Sequence, residues 1–291
     1  MNNKLIKYIL PAETIDMGGL PLKQALPLKG IDQVDPFLLL HHAKFKAVKK
    51  REPLQQGVGP HPHRGFSPVT FIIEGEIHHR DSRGNSQVAK SGEVQWMHAG
   101  MGIIHSERPS EHIASVGGKQ EIVQLWINSP ANKKMIAPSY LHLGTTDMPI
   151  IQSKDQKVNL KLVNGTYKNQ TIASIAQSEL LVLWGNASAS GKCEIEIPAG
   201  YSTMCYLIRG AYKRNEIELV NEETLAVYES QGETISLEFT TDASFLILAG
   251  LPINEEVTKH GPFVMNTQTE IMEAMRDYQM GKMGILIENE L

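Results

Sequence analysis

Hydrophobic and polar positions alternate over short runs through most of the chain, and helical periodicity is confined to its end. Val69-Thr70-Phe71-Ile72-Ile73-Glu74-Gly75-Glu76-Ile77-His78 is rich in β-branched and aromatic residues with one glycine interruption, which is the composition of a strand. Ser82-Arg83-Gly84-Asn85 supplies turn chemistry, and Gly92-Glu93-Val94-Gln95-Trp96-Met97 starts a further strand. Phe37-Leu38-Leu39-Leu40 reads as a buried strand, and Ile122-Val123-Gln124-Leu125-Trp126-Ile127-Asn128 as another that Ser129-Pro130 stops. Residues 131–149, with Pro138 and Pro149 and little periodicity, read as a loop-rich connection.

The second half repeats this logic. Tyr206-Leu207-Ile208-Arg209-Gly210 is a counterpart of Phe71-Ile72-Ile73-Glu74-Gly75, and Gly232-Glu233 of Gly92-Glu93. Two related barrels are expected, one over residues 1–150 and one over 151–291. The carboxy-terminal part is different. Thr267-Gln268-Thr269-Glu270 fits a capping box, Ile271, Met275 and Tyr278 recur at helical steps with Met272 beside them, and Gly281 ends the run. One amphipathic helix is predicted, with its methionines packed on a barrel.

Composition narrows the functional classes. Of 291 residues, 41% are hydrophobic and 21% charged, as in soluble globular chains. The formal net charge of −4 supplies no basic field for nucleic acid or an anionic membrane. Lys46-Ala47-Val48-Lys49-Lys50-Arg51 reads as a solvated loop. No signal-peptide core precedes Pro11 and no apolar run has spanning length, so a cytoplasmic protein is expected, or a nuclear one in a eukaryote. The two cysteines, Cys193 and Cys205, are expected as reduced, partly buried thiols.

Candidate chemistry lies between Gly57 and Glu107. His61-Pro62-His63 and His105-Ser106-Glu107 each place two side chains at i, i+2, on one face of an extended segment. Antiparallel pairing of the two would bring three imidazoles and one carboxylate to one point. Such a set carries one net negative charge and suits Fe(II), Mn(II), Ni(II), Cu(II) or Zn(II). The offset of 135 residues from Gly75 to Gly210 carries His61 and His63 onto Glu196 and Pro198. That of 140 from Gly92 to Gly232 carries His105 and Glu107 onto Phe245 and Ile247. The second barrel is thus expected without ligands. His41-His42 could supply at most one more, because adjacent strand residues face opposite ways.

These residues resemble the pirin family of the cupin superfamily. The matching runs are His61-Pro62-His63-Arg64-Gly65-Phe66, His79-Arg80-Asp81-Ser82 with Gly84-Asn85, Gly92 to Met97, Gly102-Ile103-Ile104-His105-Ser106-Glu107, Gln124 to Asn128 and Gly261 to Thr267. The resemblance implies an all-β bicupin, two stacked antiparallel β-barrels of the double-stranded β-helix type with a C-terminal helix. It implies a metal, typically iron, on His61, His63, His105 and Glu107, and two activities found among similar proteins. One is a quercetin 2,3-dioxygenase-like oxidoreductase acting on a phenolic or enolic substrate with O2. The other is a non-enzymatic, redox-sensing transcriptional cofactor that works through a protein partner. In the first, Glu107 would be the general base and Phe71, Gln95, Met97, His98 and Met101 would line the pocket. The chain departs from the family pattern at Ser67-Pro68, at His98 in place of a usual Thr and at Met101 in place of a usual Arg.

Overall fold

The protein is seen in a computed structural model that describes residues 2–214 and 218–288. It is built almost wholly of antiparallel strands, with two α-helices among the described residues, Glu111–Val116 and Gln268–Gln279. None of the helices is long and apolar enough to cross a membrane.

The chain forms two compact units. One comprises Asp16–Leu22, Leu40–Thr145 and Ile253–Leu291; the other comprises Met1–Ile15, Lys23–Leu39 and Thr146–Pro252. The partition differs from a cut at residue 150. The amino-terminal strand Ile6–Pro11 pairs with Thr224–Tyr228, a partner more than 200 residues away, so early residues group with the second barrel. The terminal helix groups with the first.

In the unit that carries the histidines, one sheet runs in the order Ser139–Leu143, Val94–His98, Phe66–Glu74, Gly118–Asn128, Phe37–Ala47. A second runs in the order Val58–His63, Ile103–Pro109, Glu76–Asp81, Ser86–Lys90. The long strand expected over residues 69–78 is therefore two strands in different sheets. Gly75 lies between them with φ +91°, a left-handed conformation that a side chain resists and that lets the chain change sheets. In Glu76–Asp81 the buried residues are Ile77, His79 and Asp81, and the strict alternation marks a strand with one face inward.

The other unit is closed by its own side chains. Its main sheet runs Ile6–Pro11, Thr224–Tyr228, Ser202–Arg209, Ala243–Gly250, Leu180–Ala187, Val158–Asn164, Ile150–Gln152. Tyr212, Phe239, Phe245, Ile247 and Cys205 lie fully inside, at 0–1% exposure. The offset carries His105 and Glu107 onto Phe245 and Ile247, but these lie in Ala243–Gly250, the partner of Ser202–Arg209; the strand placed like Ile103–Pro109 is Thr234–Glu238, which pairs with Lys192–Glu196. One of the two glycine matches fits the strand pairing: Gly75 and Gly210 follow Phe66–Glu74 and Ser202–Arg209, with φ +91° and +88°. The other does not: Gly92 precedes Val94–His98, the partner of Phe66–Glu74, whereas Gly232 precedes Thr234–Glu238, the partner of Lys192–Glu196, and Ser202–Arg209 pairs instead with Thr224–Tyr228. Both cysteines are free and buried, and burial raises their thiols, Cys193 to about 12.

The Gln268–Gln279 helix begins with the expected capping box. The Glu270 N–H donates to Thr267 Oγ1 at 3.2 Å and the Thr267 N–H to Glu270 Oε2 at 2.9 Å. Its buried face is not the expected one. Ile271 and Ala274 are fully buried against Phe263, Met265 and Met283, whereas Met272, Met275 and Tyr278 are 56%, 37% and 40% exposed. Arg64 explains the rotation of the helix: its guanidinium donates twice to Asp277 Oδ2, both at 3.1 Å, and once to the Met101 carbonyl at 2.7 Å. Asp277 is thereby held on the packed side, with Ala274 one turn before it.

Candidate metal centre

Antiparallel pairing of Val58–His63 with Ile103–Pro109 sets His105 directly across from His61 and Ile103 across from His63. The next strand, Glu76–Asp81, sets Asp81 across from His105 and His79 across from Glu107. Directly paired residues face the same way, so six polar side chains share one buried face. His61, His63 and His105 converge, with one ligand atom from each lying within 4.8 Å of the others. Their rings are 4.3–4.9 Å apart between centroids.

The surrounding hydrogen bonds assign the protons. His61 Nδ1 lies 2.8 Å from the Gly59 carbonyl and donates to it, which leaves Nε2 as a lone pair. His105 Nδ1 lies 3.4 Å from His79 Nδ1, and His79 Nε2 lies 3.1 Å from Asp81 Oδ2. With His79 donating to Asp81, its Nδ1 accepts from His105 and the His105 Nε2 is free. Asp81 also accepts from the N–H groups of Arg83 and Asn85 and from Asn85 Nδ2. Burial pushes its carboxyl up, but the hydrogen bonds from His79 and the 83–85 turn outweigh it and hold the group below its usual range.

Burial is the largest cause that drives His63 and His105 well below the ordinary histidine value, and the neighbouring imidazoles add to it. Both are neutral at physiological pH. Yet His63 Nδ1 and His105 Nε2 are buried with no hydrogen-bond partner. A buried lone pair without a partner destabilises the fold unless something binds it. This donor set fits a divalent ion of intermediate softness.

Glu107 lies on the same face but outside the three-histidine group. Its Oε1 accepts from Thr70 Oγ1 at 3.1 Å and its Oε2 from Gln124 Nε2 at 3.0 Å, while Trp126 Nε1 donates to Gln124 Oε1 at 3.2 Å. Thr70 pairs with both Gln95 and Gln124 across the sheet, so Gln95, and Met97 two residues on, face the same way.

The other expected pocket residues lie elsewhere. Phe71 follows Thr70 directly and so points to the opposite face, where it is fully buried. His98 falls on that opposite face too. It contacts Ser67 Oγ through Nδ1 at 3.2 Å, and burial lowers its pKa to about 4. Met101 sits in a turn at 38% exposure, with its carbonyl taken by Arg64. His42 pairs with Glu121 at 2.8 Å, and burial holds His41 at about 4; neither joins the group of three. His79 and Asp81 were missed as site residues, although their own i, i+2 spacing resembles that of the two recognised pairs. Lys134, fully buried, donates to Gly65 O, Asn128 Oδ1 and Val264 O, and burial holds it at about 8.

Two antiparallel barrels, one with converging imidazoles and one with a filled core, define a bicupin. The pirin family profile matches residues 19–127, and that of the pirin C-terminal cupin domain matches residues 159–284. The chain belongs to the pirin family. It is 34% identical to a pirin-like protein of Caulobacter vibrioides, over 96% of this chain and 98% of that one. A crystal structure of quercetin 2,3-dioxygenase from Acinetobacter baumannii superposes with a TM-score of 0.91 at 35% identity, covering 98% of this chain and all of that one. A bacterial pirin from Escherichia coli, solved in complex with nickel(II), shares the fold at a TM-score of 0.63 and 19% identity, over 84% and 98% of the two chains.

Proposed function

We propose that His61, His63, His105 and Glu107 hold one divalent metal ion, iron in the first instance, and that the protein is a dioxygenase for quercetin-like flavonols or related phenolic and enolic compounds. The observation that carries this reading is the convergence of three neutral imidazoles with buried, unpartnered nitrogens. The high similarity to the Acinetobacter baumannii dioxygenase supports the choice of substrate class. The ion would supply Lewis-acid activation of a substrate oxygen and redox chemistry towards O2. Glu107, when it loosens from the ion, accepts the proton of the substrate hydroxyl, and Thr70 and Gln124 on the other sheet hold its two carboxylate oxygens. The His79–Asp81 pair holds His105 in one tautomer.

A second, non-enzymatic reading draws on the exposed Met272, Met275 and Tyr278 of the terminal helix, an apolar strip suited to a protein partner. Oxygen uptake decides between the two. Protein of known metal content, loaded with Fe(II) and then with other divalent ions, should consume O2 when quercetin is added. His105→Ala should abolish both metal loading and uptake. Glu107→Gln should retain some metal and lose at least tenfold in turnover per bound ion, and unchanged turnover would remove the base assignment. No uptake by fully loaded protein with any ion would favour the partner-binding reading.

A further inference from the structure

The sheet across the barrel from the imidazoles holds two polar atoms that the fold leaves unsatisfied. Tyr140 is paired with Met97 across the sheet, and Gln95 is paired with Thr70, whose hydroxyl donates to Glu107. All four side chains therefore point to the same side. The Tyr140 ring stacks on His79, 4.4 Å between centroids with 17° between planes, and His79 in turn contacts His105. The phenol is thus fixed one ring away from a candidate ligand. Its oxygen is buried and has no hydrogen-bond partner. Burial, with the carboxylates of Asp81, Glu107 and Glu93 adding to it, pushes the phenol up, so the hydroxyl keeps its proton and stays a donor.

Gln95 offers the complement. Its Nε2 donates to the Ile77 carbonyl at 3.4 Å, which fixes the rotation of the amide, since the opposite orientation would set two carbonyl oxygens against each other. Its Oε1 is then a buried acceptor with no partner. A donor and an acceptor, both buried and both unpaired, stand on the sheet whose Thr70 reaches across to Glu107. Folding gains nothing from leaving either unpaired, and a site built to hydrogen-bond a ligand has this composition.

We propose that Tyr140 and Gln95 are the orienting pair for the bound molecule: the Tyr140 hydroxyl donates to an acceptor oxygen of the ligand, and Gln95 Oε1 accepts from one of its hydroxyls. This rests on the reading of the site as one for phenolic or enolic ligands. The pair then determines specificity, because a ligand lacking either group leaves a buried partner unpaired.

The test uses the full-length, metal-loaded protein with quercetin as the probe, and reads the dissociation constant, the metal stoichiometry and the melting temperature. Tyr140→Phe keeps the ring that stacks on His79 and removes only the hydroxyl. It should weaken quercetin binding about tenfold with metal content intact and a melting temperature equal to or above that of the parent, since an unpaired buried hydroxyl is removed. Gln95→Leu should weaken binding by a similar factor at unchanged metal content. Parent-like quercetin affinity in both variants would overturn the pair and leave the proposed function standing. Loss of metal or a lower melting temperature in Tyr140→Phe would assign the hydroxyl a structural role and overturn the inference. A fully loaded parent protein that does not bind quercetin would remove the proposed function itself, and the pair with it.

Discussion

Asp81 spends one carboxylate on two tasks: it accepts from His79 inside the barrel and from the backbone of the 83–85 turn at its rim. The first task sets the tautomer of His79 and, through it, the free nitrogen of His105. Partners of this kind influence metal affinity by about 10–100-fold in other sites. Asp81→Asn, which keeps the shape but not the charge, should weaken metal binding by about that factor while the protein stays folded. Competition titration against a chelator measures it, and parent-like affinity would separate His79 from the ion. Neither residue was read from sequence as part of the site, for a physical reason. The spacing of His79 and Asp81 shows that they share a face, but only the register with Ile103–Pro109 shows which face. Phe71 was misplaced by the same limit: its aromatic ring suggested a pocket wall, and a shift of one residue from Thr70 sends it to the other side.

At the scale of elements, strands were legible where alternation is local, but residues 69–78 form two strands rather than one and Ser139–Leu143 is a strand within a segment that reads as a loop. The helix was legible as a helix but not in its orientation. Ile271, Met275 and Tyr278 form a plausible stripe, yet Ala274 is buried in place of Met275 because Asp277 is tied to Arg64. That ion pair is nearly enclosed, with side-chain exposures of 4% and 13%, and Arg64 follows ligand candidate His63. Removing one partner of such a pair leaves a charge uncompensated. Asp277→Ala should destabilise the protein by about 3 kcal/mol in urea unfolding. A change below about 0.5 kcal/mol would mean that the Ile271–Ala274 packing alone seats the helix.

Across the whole molecule, the candidate metal centre lies in one of the two units, and each unit has apolar clusters of its own. The partition was not visible from sequence, because the pairing of Ile6–Pro11 with Thr224–Tyr228 joins segments more than 200 residues apart and no local pattern encodes it. Among the described residues the one convergent ligand group is His61, His63 and His105, and the interior of the other unit is filled largely by aromatic and aliphatic side chains. Phe245 lies there at 0% exposure, and at Gly185 there is no room for even a methyl group beside its ring. Phe245→Ala should lower stability by about 3–5 kcal/mol while metal stoichiometry in the cold is unchanged. His105→Ala should do the reverse, losing the metal and changing the metal-free melting temperature little. Calorimetry with metal analysis of both variants checks the division.

Gly75 and Gly210 turn the same kind of corner, after Phe66–Glu74 and after Ser202–Arg209, with φ +91° and +88°. A corner that needs a left-handed residue tolerates little but glycine, whereas a ligand position accepts any side chain that fills its space when no ion is bound there. The two halves are therefore best aligned on this bend and on their strand pairings rather than on their histidines.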